Sequence, residues 1–181
     1  MAPREPLAPE RARQVFEAVI FAADQPLPPA RVAQVLGKEF DVRDVRRMAD
    51  ELNAEYQAQG RSFEIQEVAG GLQMQSLPEF KDWVVEAHKH RRQEKLTPSS
   101  VETLAIVAYK QPVQRVTVDD IRGVQSGPIL RSLMERGMIK GVGRANVPGR
   151  PILYGTTRLF MQHFGLKSLK DLPKVAELTP P

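Results

Sequence analysis

Three histidines, His88, His90 and His163, are the residues of this 181-residue chain best able to hold a metal or move a proton, and there is no cysteine to join them. Without cysteine the chain has no disulfide, no zinc ribbon and no thiol nucleophile. His88 and His90 stand two apart, a spacing that shares a face only on a strand. Their surroundings read instead as a helix end running into a charged linker, so they make a poor metal pair. Gly141-Val142-Gly143 lacks the third glycine of a dinucleotide loop and falls inside a strand, where it lets a hairpin bend. Asp119 and Asp120 are neighbours on a helix and point apart, so they are not a paired acid and base. Neither a Gly-x-Ser-x-Gly elbow nor a Gly-Lys-Ser/Thr phosphate loop occurs. The chain therefore reads as non-enzymatic, with no cofactor, no metal and no small-molecule substrate.

The remaining chemistry is association. Residues 1–90 hold 11 Lys/Arg against 15 Asp/Glu, a balance of −4, whereas residues 91–181 hold 15 against 7, a balance of +8. The split suggests two surfaces with different partners. Arg131 and Arg136 on a helix from Ser126, with Lys140, Arg144 and Arg150 on the hairpin after it, could meet phosphate. That pattern supports an alternative function as a DNA-binding transcriptional regulator, or a weak, salt-sensitive and non-specific DNA contact. Against a regulator, Glu135 projects from the same helix, and the matching helix of the first half carries Asp44, Asp50, Glu51 and Glu55.

These side chains need elements to place them. The spacing of Val15, Ala18, Val19 and Ala22 predicts an amphipathic helix over 10–23, stopped at Gln25-Pro26. Pro29 opens a short helix closed by Gly37, and Asp41 opens a longer one with Val45, Met48, Ala49 and Leu52 inward and Gly60 at its end. Phe63–Gln66 and Leu72–Gln75 alternate apolar with polar around Gly70-Gly71, a hairpin signal. A helix from about Pro78 to Lys89 follows. Tyr56, Phe63, Phe80 and Trp83 read mainly as core, with one of them able to anchor a subunit contact.

The order then repeats. Thr97-Pro98 starts a helix with Val101, Leu104, Ala105 and Ala108 inward. Thr117 caps another that ends at Gly123, and Ser126 begins a third with Ile129, Leu130, Leu133 and Met134 inward, ending at Gly137. Strands over 138–144 and 151–154 flank the loop 145–150, and a helix over 156–164 closes the unit. Ile20–Pro26 matches Ile106–Pro112 at an offset of 86, which continues to Val32 with Val118 and Gly37 with Gly123. An internal match of this length is a domain duplication. The fold class is thus mainly α with small β-hairpins (α+β), arranged as two tandem winged-helix domains. Their expected bounds are 1–90, a linker at 91–96, 97–165, and a tail at 166–181.

The second repeat resembles the segregation and condensation protein B (ScpB) family. The resemblance is carried by Thr103–Pro112, by Ile121-Arg122-Gly123-Val124, by Pro148–Thr157 and by Phe164–Pro173. It implies a subunit of the bacterial condensin complex that binds the kleisin ScpA, and through it the SMC ATPase heads, during chromosome condensation and segregation. It also implies a homodimer, formed chiefly through the first domain. The exposed edges of the second domain are the docking candidates: Tyr109, Lys110, Arg122, Arg144, Arg150 and Tyr154. The polar, proline-containing N-terminus and the absence of a long apolar run point to a cytoplasmic, nucleoid-associated protein with no membrane contact.

Overall fold

The computed structural model describes residues 7–88 and 95–173, and the chain divides into two compact units, Met1–Arg92 and Gln93–Pro181. Both are α+β. Residues 89–94, with His90 and most of the expected linker, and residues 174–181 of the expected tail lie outside the described residues. Among the described residues no helix is long and apolar enough to cross a membrane.

In the first unit α1 (Pro9–Phe21), α2 (Pro29–Leu36) and α3 (Val42–Ala58) precede a hairpin of β1 (Phe63–Val68) and β2 (Gly71–Ser76), and α4 (Lys81–Ala87) follows. The face that α1 buries differs from the expected stripe: Ala12, Phe16 and Ile20 are buried, whereas Ala18 is exposed and Ala22 lies past the helix end. Removing a phenylalanine and an isoleucine from water outweighs covering two alanines, so the helix turns its larger side chains inward. α3 follows expectation, with Val45, Met48, Ala49 and Leu52 buried. Asp41 accepts hydrogen bonds from the Arg43 and Asp44 N–H groups, while the Asp44 carboxylate accepts one from the Asp41 N–H.

The hairpin turn falls one residue earlier than Gly70-Gly71. Val68 pairs with Gly71, which leaves Ala69 and Gly70 as the two turn residues, with φ of 51° and 73°. Two positive φ values are what a tight hairpin turn requires. Gly71 is needed for another reason. A Cβ there would sit 2.7 Å from the Pro26 carbonyl carbon, because Leu27 and Leu72 exchange backbone hydrogen bonds just beside it. Asn53 braces the other strand, donating to the Ile65 carbonyl at 2.9 Å and accepting from the Ile65 N–H at 2.8 Å. Of the four aromatic residues read as core, Tyr56 is buried and Phe63 and Phe80 are half-buried, but Trp83 is 72% exposed. α4 has no buried residue.

The second unit repeats the order with one addition. α5 (Pro98–Lys110), β3 (Val113–Gln114), α6 (Arg115–Arg122) and α7 (Gly127–Glu135) precede β4 (Ile139–Arg144), β5 (Ile152–Thr156) and α8 (Arg158–His163). β5 is the middle strand of an antiparallel sheet ordered β3-β5-β4. Val113 pairs with Tyr154, one offset of 86 from Leu27, which pairs with Leu72. Val32 and Val118 are both buried, as the repeat requires.

Some expected faces differ here too. α5 buries Thr103, Leu104, Val107 and Ala108 and exposes Val101 and Ala105. Thr103 tolerates burial because its hydroxyl donates to the Ser99 carbonyl at 2.8 Å. α6 begins at Arg115, so Thr117 lies within it and caps nothing. Met134, expected inward, is on the surface, since the nine-residue α7 buries only Leu130 and Leu133 fully. Residues 166–173 are no free tail, because Leu166 and Leu172 pack on the core of this unit.

Candidate functional site

The turn between α6 and α7 is held by charged side chains. The Asp119 carboxylate accepts from the Ser126 N–H at 2.6 Å and from Arg115 Nε at 3.2 Å. Partial desolvation pushes that carboxyl up, but the hydrogen bonds from Ser126 and Arg115 outweigh it and hold it below the usual carboxylate range. Arg122 closes the same turn from below, donating through Nε to Glu102 at 3.1 Å and through Nη1 to the Ser126 hydroxyl at 3.2 Å. Its side chain is only 5% exposed. Arg122 was expected at an exposed docking edge; it is instead a latch between α5, α6 and α7, because its guanidinium already has partners on both sides.

That turn sets the start of α7, and an open groove of about 620 Å³ lies along α7, with β5 reaching it through Tyr154. Its lining includes Pro128, Arg131, Met134 and Glu135 from α7, Arg115 from α6, and Tyr154 from β5. Tyr154 packs partly on the core, so its ring is fixed while one edge stays at the groove. Arg144 reaches across the hairpin loop and donates through Nη1 to the Arg150 carbonyl at 3.1 Å. Arg150 itself sits at φ 39°. Arg144, Arg150 and Tyr154 are thus gathered on one hairpin. Tyr109 and Lys110 form a separate pair at the C-terminal end of α5, where the Tyr109 hydroxyl donates to the Pro173 carbonyl at 2.7 Å.

Sequence reasoning missed two residues that shape this region. Gln111 accepts from both the Thr156 N–H and hydroxyl, at 2.8 and 3.0 Å, and donates to the Ala108 carbonyl at 3.0 Å. It thereby ties the end of α5 to β5. Its placement before Pro112 was the available signal, since the preceding helix must end there and leave carbonyls to satisfy. Arg115 was missed because nothing in the sequence shows it folding back over Gly127, where a Cβ would lie 3.2 Å from its guanidinium carbon.

The first unit has its own groove, of about 680 Å³, bounded by α1, α3 and the hairpin. Phe21 stands at its edge, 77% exposed. Tyr56 donates to Glu17 at 2.7 Å, and Arg13 pairs with Glu55. Burial and the Glu17 carboxylate push the Tyr56 hydroxyl pKa well up. Among the described residues no group of three or more His, Cys, Asp or Glu is placed to hold a metal ion.

The model of the segregation and condensation complex subunit ScpB matches residues 14–175. The chain belongs to the ScpB family. Segregation and condensation protein B of Syntrophotalea carbinolica is 41% identical over 167 residues, covering 92% of this chain and 83% of that protein. The protein of the same name from Symbiobacterium thermophilum is 39% identical over 163 residues, covering 90% and 73%. The crystal structure of ScpB from Mycobacterium tuberculosis is similar at 28% identity, covering 90% of this chain and 99% of that one, with a TM-score of 0.43.

Proposed function

We propose that this ScpB-family subunit is a non-catalytic clamp in the segregation and condensation complex, that its two units are winged-helix modules, and that the second docks an amphipathic helix of the kleisin ScpA. Through the kleisin it would reach the SMC ATPase heads, in the cytoplasm at the nucleoid. The observation that carries this reading is the groove along α7. Its lining offers Pro128, Met134 and the ring of Tyr154 together with the cations Arg115 and Arg131, and Arg144 and Arg150 stand on the same hairpin as Tyr154. An apolar strip between charges is what the amphipathic face of a partner helix fits. Arg122 presents the groove by locking the turn before α7. Tyr109 and Lys110 supply a second edge at the end of α5. The first unit, acidic in balance, forms the homodimer, with the exposed Trp83 as its anchor.

Rates of binding to purified ScpA test the groove. Rim charges govern encounter, whereas a desolvated anchor governs escape. Replacing Arg144 and Arg150 together by alanine should slow association and flatten its salt dependence. Tyr154→Ala should speed dissociation by about 5–150-fold, the equivalent of about 1–3 kcal/mol for an interface anchor. Unchanged rates in variants whose circular dichroism and melting are normal would remove the groove as the docking site. For the dimer, light scattering of the full chain should give twice the monomer mass, and Trp83→Ala should reduce it at micromolar concentration.

A further inference from the structure

From Arg136 through Lys170 the chain holds seven Lys/Arg and not one Asp or Glu, an interval that contains the whole β4–β5 hairpin and α8. The register then sorts the hairpin cations. Ile139 pairs with Thr156 and Gly141 with Tyr154, so these four point to the face nearest the core. Lys140, between them, pairs with Gly155 and points to the opposite face. An extra residue at Val142 shifts the alternation, so that Gly143 pairs with Leu153 and Arg144 with Ile152. Arg144 consequently lies on the face of Tyr154 and Ile152, opposite Lys140. The space around the two glycines agrees: a Cβ on Gly141 would touch Ile152, while one on Gly155 would strike Val142. Arg150 stands in the exposed loop that joins the strands. Arg144 donates to a backbone carbonyl, so its charge is not cancelled there.

We infer that this hairpin is a binding site for the sugar-phosphate backbone of duplex DNA, entered into a groove so that one strand's phosphates face Lys140 and the other's face Arg144, with Arg150 at the leading end. A flat acidic protein surface would engage cations on one face only. A two-stranded ribbon with a cation on each face and one at the tip matches a groove walled by two rows of phosphate. The B-form major groove admits such a ribbon, whereas the major groove of an RNA duplex is too deep and narrow. The contact is non-specific in sequence, since it rests on cations and phosphates and not on base edges.

The full chain, titrated into a fluorescent random-sequence DNA duplex between 50 and 200 mM salt, tests this by anisotropy. Each phosphate contact contributes about 0.9 to the slope of log affinity against log salt. The Lys140→Ala, Arg144→Ala, Arg150→Ala triple variant should lose about 2.7 from that slope, so that its affinity at 50 mM salt falls by tens of fold or more. Lys140→Ala alone should weaken DNA binding while leaving the ScpA rates unchanged, because Lys140 faces away from the groove beside α7. Tyr154→Ala should do the reverse. A wild-type protein that does not bind duplex at 50 mM salt, or a triple variant with the wild-type slope, overturns the inference without touching the kleisin reading. Polyglutamate that competes as well as unlabelled duplex at equal charge would also overturn it and assign the hairpin to an acidic protein.

Discussion

The two hairpins of this chain occupy the same place in a repeated element order, yet they are built to opposite ends. The first is closed by the two-residue turn Ala69-Gly70, and its register is unbroken from Phe63–Ser76 to Val68–Gly71. The second carries a bulge at Val142, a seven-residue loop and a third strand, and it is rich in cations. A tight turn with Asn53 clamping one strand leaves little freedom, so the first hairpin serves as a wall of its own core. The bulge and long loop extend the second hairpin away from its core and turn Lys140 and Arg144 to opposite faces. Both hairpins are anchored alike at the base, Leu27 on Leu72 and Val113 on Tyr154, and they differ at the tip. The tip is where residues can change without disturbing the packed base.

The largest expected effect that separates the hairpins is steric. Gly71→Ala places a methyl group against the Pro26 backbone, which cannot rotate away, and should cost about 3 kcal/mol in a urea denaturation of the first unit. Gly155→Ala meets chiefly the Val142 side chain and the Gln111 amide, which can shift, and should cost about 1 kcal/mol. Equal losses would mean that the two hairpin bases are equally rigid.

Effects no larger than that of Gly71→Ala come from the side-chain clamps. Asn53→Ala removes two hydrogen bonds to Ile65 and should destabilise the first unit by about 1–3 kcal/mol, the cost of leaving buried polar groups unmet. Gln111→Ala should do the same to the second unit through Thr156 and Ala108. Amide hydrogen exchange should show each loss confined to its own unit. Protection lost in both units from a single substitution would refute the division into two cores.

Of the expected effects the pH dependence is the smallest, and it is shared. Hydrogen bonds from the Asp44 and Arg43 N–H groups hold the Asp41 carboxyl below its ordinary value, and Asp119 is held low in the second unit. A carboxyl whose pKa is lower folded than unfolded adds stability that is complete above the unfolded value, about 4, and lost as pH falls through the folded one. Urea midpoints should therefore drop for both units below about pH 4. Asp119→Asn should flatten that drop in the second unit alone, and Asp41→Asn, which can still cap the helix, in the first alone.

The sequence by itself determined the element order, the repeat and the ends of most helices. Glycine, proline and capping residues act locally: Gly37 and Gly123 close their helices, Asp41 opens α3, and the offset of 86 pairs Val32 with Val118. The family was legible for the same reason, since its motifs are runs of contiguous residues. Tertiary structure alone decided which helical face turned inward. α1 offered two stripes, and the bulk of Phe16 and Ile20 against the rest of the core selected one; in α7 the small contact area left Met134 outside. It also decided that Arg122 is a largely buried latch and not an exposed edge, because Glu102 lies twenty residues away in the chain and meets it only when α5 and α6 pack. The candidate surface shows the same limit. Lys140 and Arg144 are four residues apart and would share a face on a regular strand; the bulge at Val142, visible only once β4 pairs with β5, sends them to opposite faces.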